Sequence, residues 1–257
     1  MKVSILRDSA VIAVSALALV AAWRIAAAAV GAPIILPTPG ATAVAVASVL
    51  RSRGFLLAVS STAVRGLLAF GLSFAAGLLA GVAAARSRVV EGALQPFLMV
   101  VRSTPIMAVI LLAMIWFKTG AVPVFVGFLV GFPIVFSSVV EGIRSVDPDL
   151  TEMARAYGVA GLRLVRHVSL PALVPFLLGA ASSGLGLTWR VVVGAEILSQ
   201  PLHAVGTALQ TSQARLETAS VFAWTIVAIV LGGAAELGLR ALLHLVPWRR
   251  RRGNRDQ

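Results

Sequence analysis

The sequence predicts an all-α membrane protein with six transmembrane helices, and two observations support this fold class. Of the 257 residues, 59% are hydrophobic and only 12% are charged, about half the charged share of a typical soluble protein. Apolar runs of about 20 residues, the length that crosses a bilayer as a helix, recur along the chain. We therefore expect the lipid bilayer to be the chain's principal environment.

The net charge of +12 agrees with this prediction. In a soluble protein it would suggest nucleic acid, but here arginines follow the apolar runs, as the positive-inside rule requires of cytoplasmic loops. The densest cluster, Arg249 to Arg252, comes directly after the last run and is typical of a headgroup anchor. We predict no nucleic-acid partner. The chain has no cysteine, which excludes disulfides and thiolate metal sites, and we predict no metal site.

The apolar runs define the six predicted spans in chain order. They cover about 9–30, 55–85, 96–116, 122–140, 171–197 and 219–246. The first run is expected to be a span rather than a cleaved signal peptide, because the chain keeps crossing the membrane after it. Between the first two spans, Pro33, Pro37 and Pro39 forbid one continuous helix, so a loop with a short interfacial segment is expected.

Six spans place both termini on one side, and the distribution of basic residues predicts that this side is cytoplasmic. We expect one domain, 1–257. It consists of the first span with its outer loop (1–54), a core (55–246) and a basic cytoplasmic tail (247–257).

A polar segment, "TEMARAYGVAGLRLVRHVSLP" (151–171), interrupts the apolar chain between the fourth and fifth spans. Asp147 and Pro148 predict the start of a helix, and Gly158 predicts its end. Leu150, Met153, Ala154 and Tyr157 fall on one face of that helix. A second short helical piece follows, and Pro171 is expected to close it. Such a pair of amphipathic helices lies on lipid headgroups, docks into a partner's groove, or only connects two spans.

Charged residues inside predicted spans are costly and usually face a cavity or a partner. Arg65 and Arg102 are expected within reach of a span end. Arg190 and Glu196 lie late in the fifth span, where an arginine facing a pore would suit an anionic substrate. The alternative is an Arg190–Glu196 pair or a subunit contact that only fixes packing. We assign Arg102, Arg190 and Glu196 to a candidate substrate path.

The polar segment also resembles the EAA signature of permease subunits of binding-protein-dependent ABC importers. Glu152 and Ala154 take the first and third positions, Gly158 takes the glycine position, and Leu170-Pro171 completes the ending. Met153 replaces the second alanine and Val168 the isoleucine. The stretches 102–120, 132–150 and 188–213 are similar to the nitrate/sulfonate/taurine branch of this family.

This resemblance implies a type I ABC importer permease in the bacterial cytoplasmic membrane. Two permease copies would form the pore, separate ATPase subunits would bind below, and an extracytoplasmic binding protein would deliver substrate. The segment would be the cytoplasmic coupling helix, with its ATPase-coupling residues at Glu152, Ala154, Tyr157, Gly158, Leu170 and Pro171. The chain has no G-x-x-x-x-G-K-[ST] motif for cradling phosphates. We therefore expect a non-catalytic subunit without a cofactor, with ATP bound by its partner.

Two other functions are considered. A self-sufficient secondary transporter would need buried coupling carboxylates, for which only Glu196 and Glu236 qualify. An intramembrane serine hydrolase would need Ser183 next to His203 or His244, and no further signature supports it.

Overall fold

The computed structural model describes residues 2–159 and 161–245, and within them every regular element is helical. The elements, in chain order, are α1 (Lys2–Val30), α2 (Pro39–Leu50), α3 (Phe55–Arg86), α4 (Arg88–Ser103), α5 (Ile106–Trp116), α6 (Val122–Arg144), α7 (Pro148–Ala156), α8 (Leu162–Leu164), a π-helical turn (Val165–Ser169), α9 (Leu170–Ser199), α10 (Val205–Ala214) and α11 (Thr218–Leu245). This confirms the all-α fold class. The basic residues Arg249 to Arg252 lie outside the described residues.

Helices α3, α6 and α9 form the centre of the bundle, and glycines allow their close approach. A Cβ atom added at Gly77 of α3 would lie 2.7 Å from Cβ of Val135 on α6, and one at Gly81 would lie 2.7 Å from Cβ of Val139. Because both glycines and both valines advance by four residues, two helix faces pack in register along one seam. Helix α3 carries four glycines, Gly66, Gly71, Gly77 and Gly81, and all but Gly71 are buried, as expected of small residues that let membrane helices approach closely.

Four helices of the described chain are long and apolar enough to cross a membrane. They are α3, α6, the helix Val165–Ser199 that includes the π-helical turn, and the part of α11 over Thr218–Leu242. The described apolar part of α1, Val14–Val30, is shorter. The structure therefore accounts for four of the six predicted spans, or five if the bent pair α4–α5 is one span, and the total of six remains a prediction.

The predicted third span, 96–116, is not a single straight helix. The structure has two helices there, α4 and α5, bent by 105° relative to each other. The bend falls at Thr104, which is extended (φ −78°, ψ 129°), and Pro105 follows it. A residue before proline is driven out of the α region, and proline itself has no amide to donate, so the chain turns here.

The prediction that Pro171 closes the second helical piece is wrong. The helix continues from α8 through the π-helical turn into α9, of which Pro171 is the second residue. The amide of Leu170 donates to the carbonyl of Val165, five residues earlier. The hydrogen bonds just before Pro171 therefore span five residues instead of the four of a regular α-helix. Because Pro171 follows this π-helical turn, its missing amide donor interrupts no regular α-helical hydrogen bond.

The shorter helices cover the end of the bundle where α3 begins. Thr38 caps α2 by accepting a hydrogen bond from the amide of Ala41 (3.2 Å), and α2 packs against α11 through a cluster that includes Val49 and Trp224. The short helix expected within 31–54 is therefore present. Helix α10 packs against α9 and α11 at the same end.

Candidate functional site

Helix α7 begins and ends where the sequence predicts. The carboxylate of Asp147 accepts a hydrogen bond from the amide of Asp149 (2.9 Å), and Pro148 is the first helical residue. The helix ends at Ala156, and Gly158 follows with a φ of +75°. That left-handed conformation favours glycine, so Gly158 turns the chain away from the α7 axis.

The apolar face of α7 is exposed. Leu150 is 50% exposed, Met153 54% and Tyr157, just past the helix, 82%. We call these three residues the α7 surface. Their spacing of three and four residues puts them on one side, at the end of the molecule where α6 ends and α9 begins. Glu152 is exposed beside them, whereas Ala154 and Pro171 are half-buried. A short helix that exposes its apolar side is typical of a segment that docks on a partner.

At the opposite end of the bundle, a buried ion pair joins three elements. Glu196 of α9 is fully buried, and the guanidinium of Arg65 on α3 donates to its Oε1 (2.9 Å). The hydroxyl of Thr62 lies 2.8 Å from Oε2, and the amide of Gly206 on α10 donates to the same oxygen (3.2 Å). The carboxylate is thereby paired and hydrogen-bonded, as a buried charge must be.

This arrangement corrects one expectation and agrees with another. The Arg190–Glu196 pair is wrong, because Glu196 pairs with Arg65 instead. Arg65 does lie within reach of a span end, since its Nη1 also donates to the carbonyl of His203 in the loop after α9 (2.9 Å). Of the three predicted path residues, Arg102 and Arg190 are exposed and Glu196 is not. Thr62 was not predicted as part of this site, since a threonine in an apolar run gives no distinctive signal.

Arg102 lies deeper than the sequence suggested. Its Nη2 donates to the carbonyl of Pro133 (3.3 Å) and to the hydroxyl of Ser137. Pro133 is at the midpoint of α6, about 16 Å from either helix end. Arg102, in the last turn of α4, thus lies against the middle of α6, so the expected position near a span end is wrong.

A groove of about 850 Å³ runs between α9, α10 and α11. Its walls are mostly apolar, and its polar residues are Arg190, Gln210, Gln213, Thr225 and Glu236. Glu236 accepts a hydrogen bond from Arg240 (2.6 Å). Gln210 and Gln213 were not predicted as site residues, although their spacing of three residues on α10 places both on one helix face. The groove has the size and the apolar lining with a few polar groups that small-molecule sites share.

Comparisons with known proteins agree with this architecture. The family "Binding-protein-dependent transport system inner membrane component" matches residues 73–244. The taurine transport system permease protein TauC of Escherichia coli K12 is 28% identical over 233 residues, covering 88% of this chain and 84% of TauC. The putative aliphatic sulfonates transport permease protein SsuC of Bacillus subtilis 168 is 30% identical over 218 residues, covering 84% of this chain and 78% of SsuC.

Among solved structures, the crystal structure of an amino acid ABC transporter with histidines superposes with a TM-score of 0.57. The identity is 19%, and the match covers 73% of this chain and 90% of the other. At this identity the likeness concerns the fold alone.

Proposed function

The chain belongs to the family of binding-protein-dependent transport system inner membrane components, and from this premise we propose that it is the permease subunit of an ATP-driven importer. In this role it forms the translocation path and performs no catalysis itself. The observation that carries the proposal is the α7 surface, an exposed apolar face between the two long helices α6 and α9.

We propose that α7 is the coupling helix that docks into a separate ATPase subunit. Leu150, Met153 and Tyr157 supply apolar contacts, and Glu152 supplies a charge beside them. Gly158 provides the turn after α7, and the continuous helix through Leu170 and Pro171 gives a stiff connection into α9. A motion of the ATPase would be passed to the bundle through this continuous helix.

The proposed topology has six spans with both termini in the cytoplasm. Helix α1 supplies the first span and the bent pair α4–α5 the third, in addition to the four long helices. The α7 surface then faces the cytoplasm, where ATP is available. The Arg65–Glu196 pair lies at the outer end, near the loop that an extracytoplasmic binding protein would approach.

The proposed substrate is a small anion of the taurine or alkanesulfonate type. The names of TauC and SsuC support this class. Two exposed arginines support it as well: Arg102, at the middle depth of α6, and Arg190, in the groove along α9. Guanidinium groups bind oxyanions with paired hydrogen bonds. We propose that a second copy of the chain completes the path, as the resemblance to this family implies.

The carboxylates do not favour a self-sufficient secondary transporter. Glu196 is held by Arg65, Thr62 and Gly206, and Glu236 is hydrogen-bonded to Arg240. Both candidate carboxylates are thus already engaged with cations.

The test of the coupling helix is co-purification with candidate ATPase subunits. In Leu150→Glu a charge replaces an apolar contact of the α7 surface. We expect the ATPase to be lost from the purified complex, with affinity reduced on the order of tenfold or more, because burying an unpaired carboxylate is unfavourable.

Leu202→Glu is the matched control. Leu202 is 86% exposed but lies between α9 and α10, at the other end of the bundle. This variant should retain the ATPase. Full retention by Leu150→Glu, or equal loss in both variants, would contradict the assignment of α7.

A further inference from the structure

A polar pocket of about 720 Å³ lies where α3, α4 and α6 meet, at the α7 end of the bundle. Its polar lining consists of Arg86, Arg88, Glu91, Gln95 and Arg144. These residues come from the end of α3, the first two turns of α4 and the end of α6. The pocket shares no residue with the groove along α9 or with the α7 surface.

The charges in this pocket do not balance. Arg144 binds Glu91 through two hydrogen bonds, Nη1 to Oε1 (2.8 Å) and Nη2 to Oε2 (2.6 Å). Arg86 and Arg88 form no ion pair within the described part of the chain. Three guanidinium groups therefore face one carboxylate, which leaves an excess positive charge in a concave site. Guanidinium groups in such a site bind phosphate oxygens well, because their planar N–H donors match them.

The surroundings of the pocket indicate where the phosphate comes from. The pocket lies at one end of α3 and α6, both apolar enough to cross a membrane, so it is level with a bilayer surface. Next to Arg88, Val89 is 82% exposed, and three turns further along the same face of α4 Val100 is 61% exposed. Apolar surface thus continues from the pocket along α4, where acyl chains would lie. Basic pockets between membrane helices are typical sites for anionic lipid headgroups.

We propose that this pocket binds the phosphate group of an anionic phospholipid, with Arg86 and Arg88 as its principal contacts. A free phosphate ion shares the same headgroup chemistry but makes no use of the apolar surface of α4. The site shares no residue with the groove along α9 and does not depend on what the transported solute is.

The test measures lipid binding to the purified full chain by native mass spectrometry. Phosphatidylglycerol and phosphatidylcholine are titrated separately into the delipidated protein. Wild type should prefer phosphatidylglycerol, and Arg86→Gln/Arg88→Gln should lose roughly tenfold or more of that affinity, given the contribution of basic residues at a lipid surface.

Arg51→Gln/Arg53→Gln is the matched control, because it removes the same charge just before the opposite end of α3. It should bind phosphatidylglycerol like wild type. Should the double pocket variant express poorly, the single variants Arg86→Gln and Arg88→Gln provide the same comparison, since both side chains are exposed. Equal binding by pocket variants and wild type, or equal losses in pocket and control variants, would overturn the site.

Competition with inorganic phosphate distinguishes a lipid headgroup from a free phosphate ion as the ligand. Added at the concentration of the lipid, it should leave bound phosphatidylglycerol in place. If it displaced the lipid through Arg86 and Arg88, the ligand would be a free anion and the lipid assignment would be overturned.

Discussion

At the residue scale, the buried carboxylate of Glu196 depends on one guanidinium. Arg65 is 16% exposed and Glu196 is wholly buried, so little water reaches the pair. Arg65→Met would leave the charge without its cation. Removing one partner of a buried pair costs about 3–5 kcal/mol, and we expect a loss of unfolding free energy of that order. Denaturant titration of the purified chain in detergent measures it.

An exposed pair provides the control for this prediction. Arg240 and Glu236 are 59% and 38% exposed, and Arg240→Met should cost less than about 1 kcal/mol. The double variant Arg65→Met/Glu196→Met should recover much of the lost stability, because apolar replacements of a buried pair are often neutral. If Arg65→Met proved as mild as Arg240→Met, the pair would not have the structural role assigned here.

The same residues show what the sequence could reveal at this scale. The sequence identified Glu196 as an unusual charge inside an apolar span, and the cost of desolvating a charge predicted that it has a partner. The sequence did not predict that this partner is Arg65, because the two residues are 131 positions apart in the chain. One constraint was available: Arg190 and Glu196 are six residues apart on α9, which puts them about 120° apart around the helix and disfavours their pairing.

At the element scale, the seam between α3 and α6 depends on residues without side chains. In Gly77→Ala the new methyl group would sit 2.7 Å from Cβ of Val135 and 3.0 Å from the amide nitrogen of Phe136. Because a backbone atom cannot rotate away, the two helices must separate. Overpacking of this kind costs about 1–3 kcal/mol, and a lower unfolding temperature should report it.

Gly71→Ala is the matched control on the same helix. Gly71 is exposed, and a Cβ atom there would meet nothing within 4 Å. This variant should unfold like wild type or slightly above it, since alanine favours helix. A seam held by other contacts would instead give the two variants equal unfolding temperatures.

Prolines explain which elements the sequence could and could not predict. Asp147, Pro148 and Gly158 mark the limits of α7 because capping and left-handed turns are local chemistry. The bend at Thr104 and Pro105 was not predicted, because both flanking segments are apolar and a hydropathy average does not register a break in hydrogen bonding. Pro133 lies inside α6, and the helix continues through it. A proline alone therefore does not tell a bend from a continuous helix; its tertiary neighbours decide.

At the scale of the whole molecule, α9 runs in the direction opposite to both α3 and α6. Glu196, near the end of α9, meets Arg65, near the start of α3, and Gly142, near the end of α6, lies close to Leu173, near the start of α9. Helices α3 and α9 therefore run antiparallel, and so do α6 and α9. If the bundle crosses the bilayer as proposed, the α7 surface and the loop after α9 lie on opposite sides of it.

The chain's lack of cysteine makes this orientation directly measurable, because a single introduced thiol reacts without background. Tyr157 and Leu202 are matched probes, 82% and 86% exposed at the two ends of the bundle. In spheroplasts that contain the chain without its ATPase, so that α7 is uncovered, a membrane-impermeant maleimide should modify Leu202→Cys at once and Tyr157→Cys only after permeabilisation. The reverse order would invert the proposed topology and remove α7 from the reach of a cytoplasmic ATPase. Labelling of both from one side would contradict a bundle that spans the bilayer, because the ends of α9 would then share a compartment.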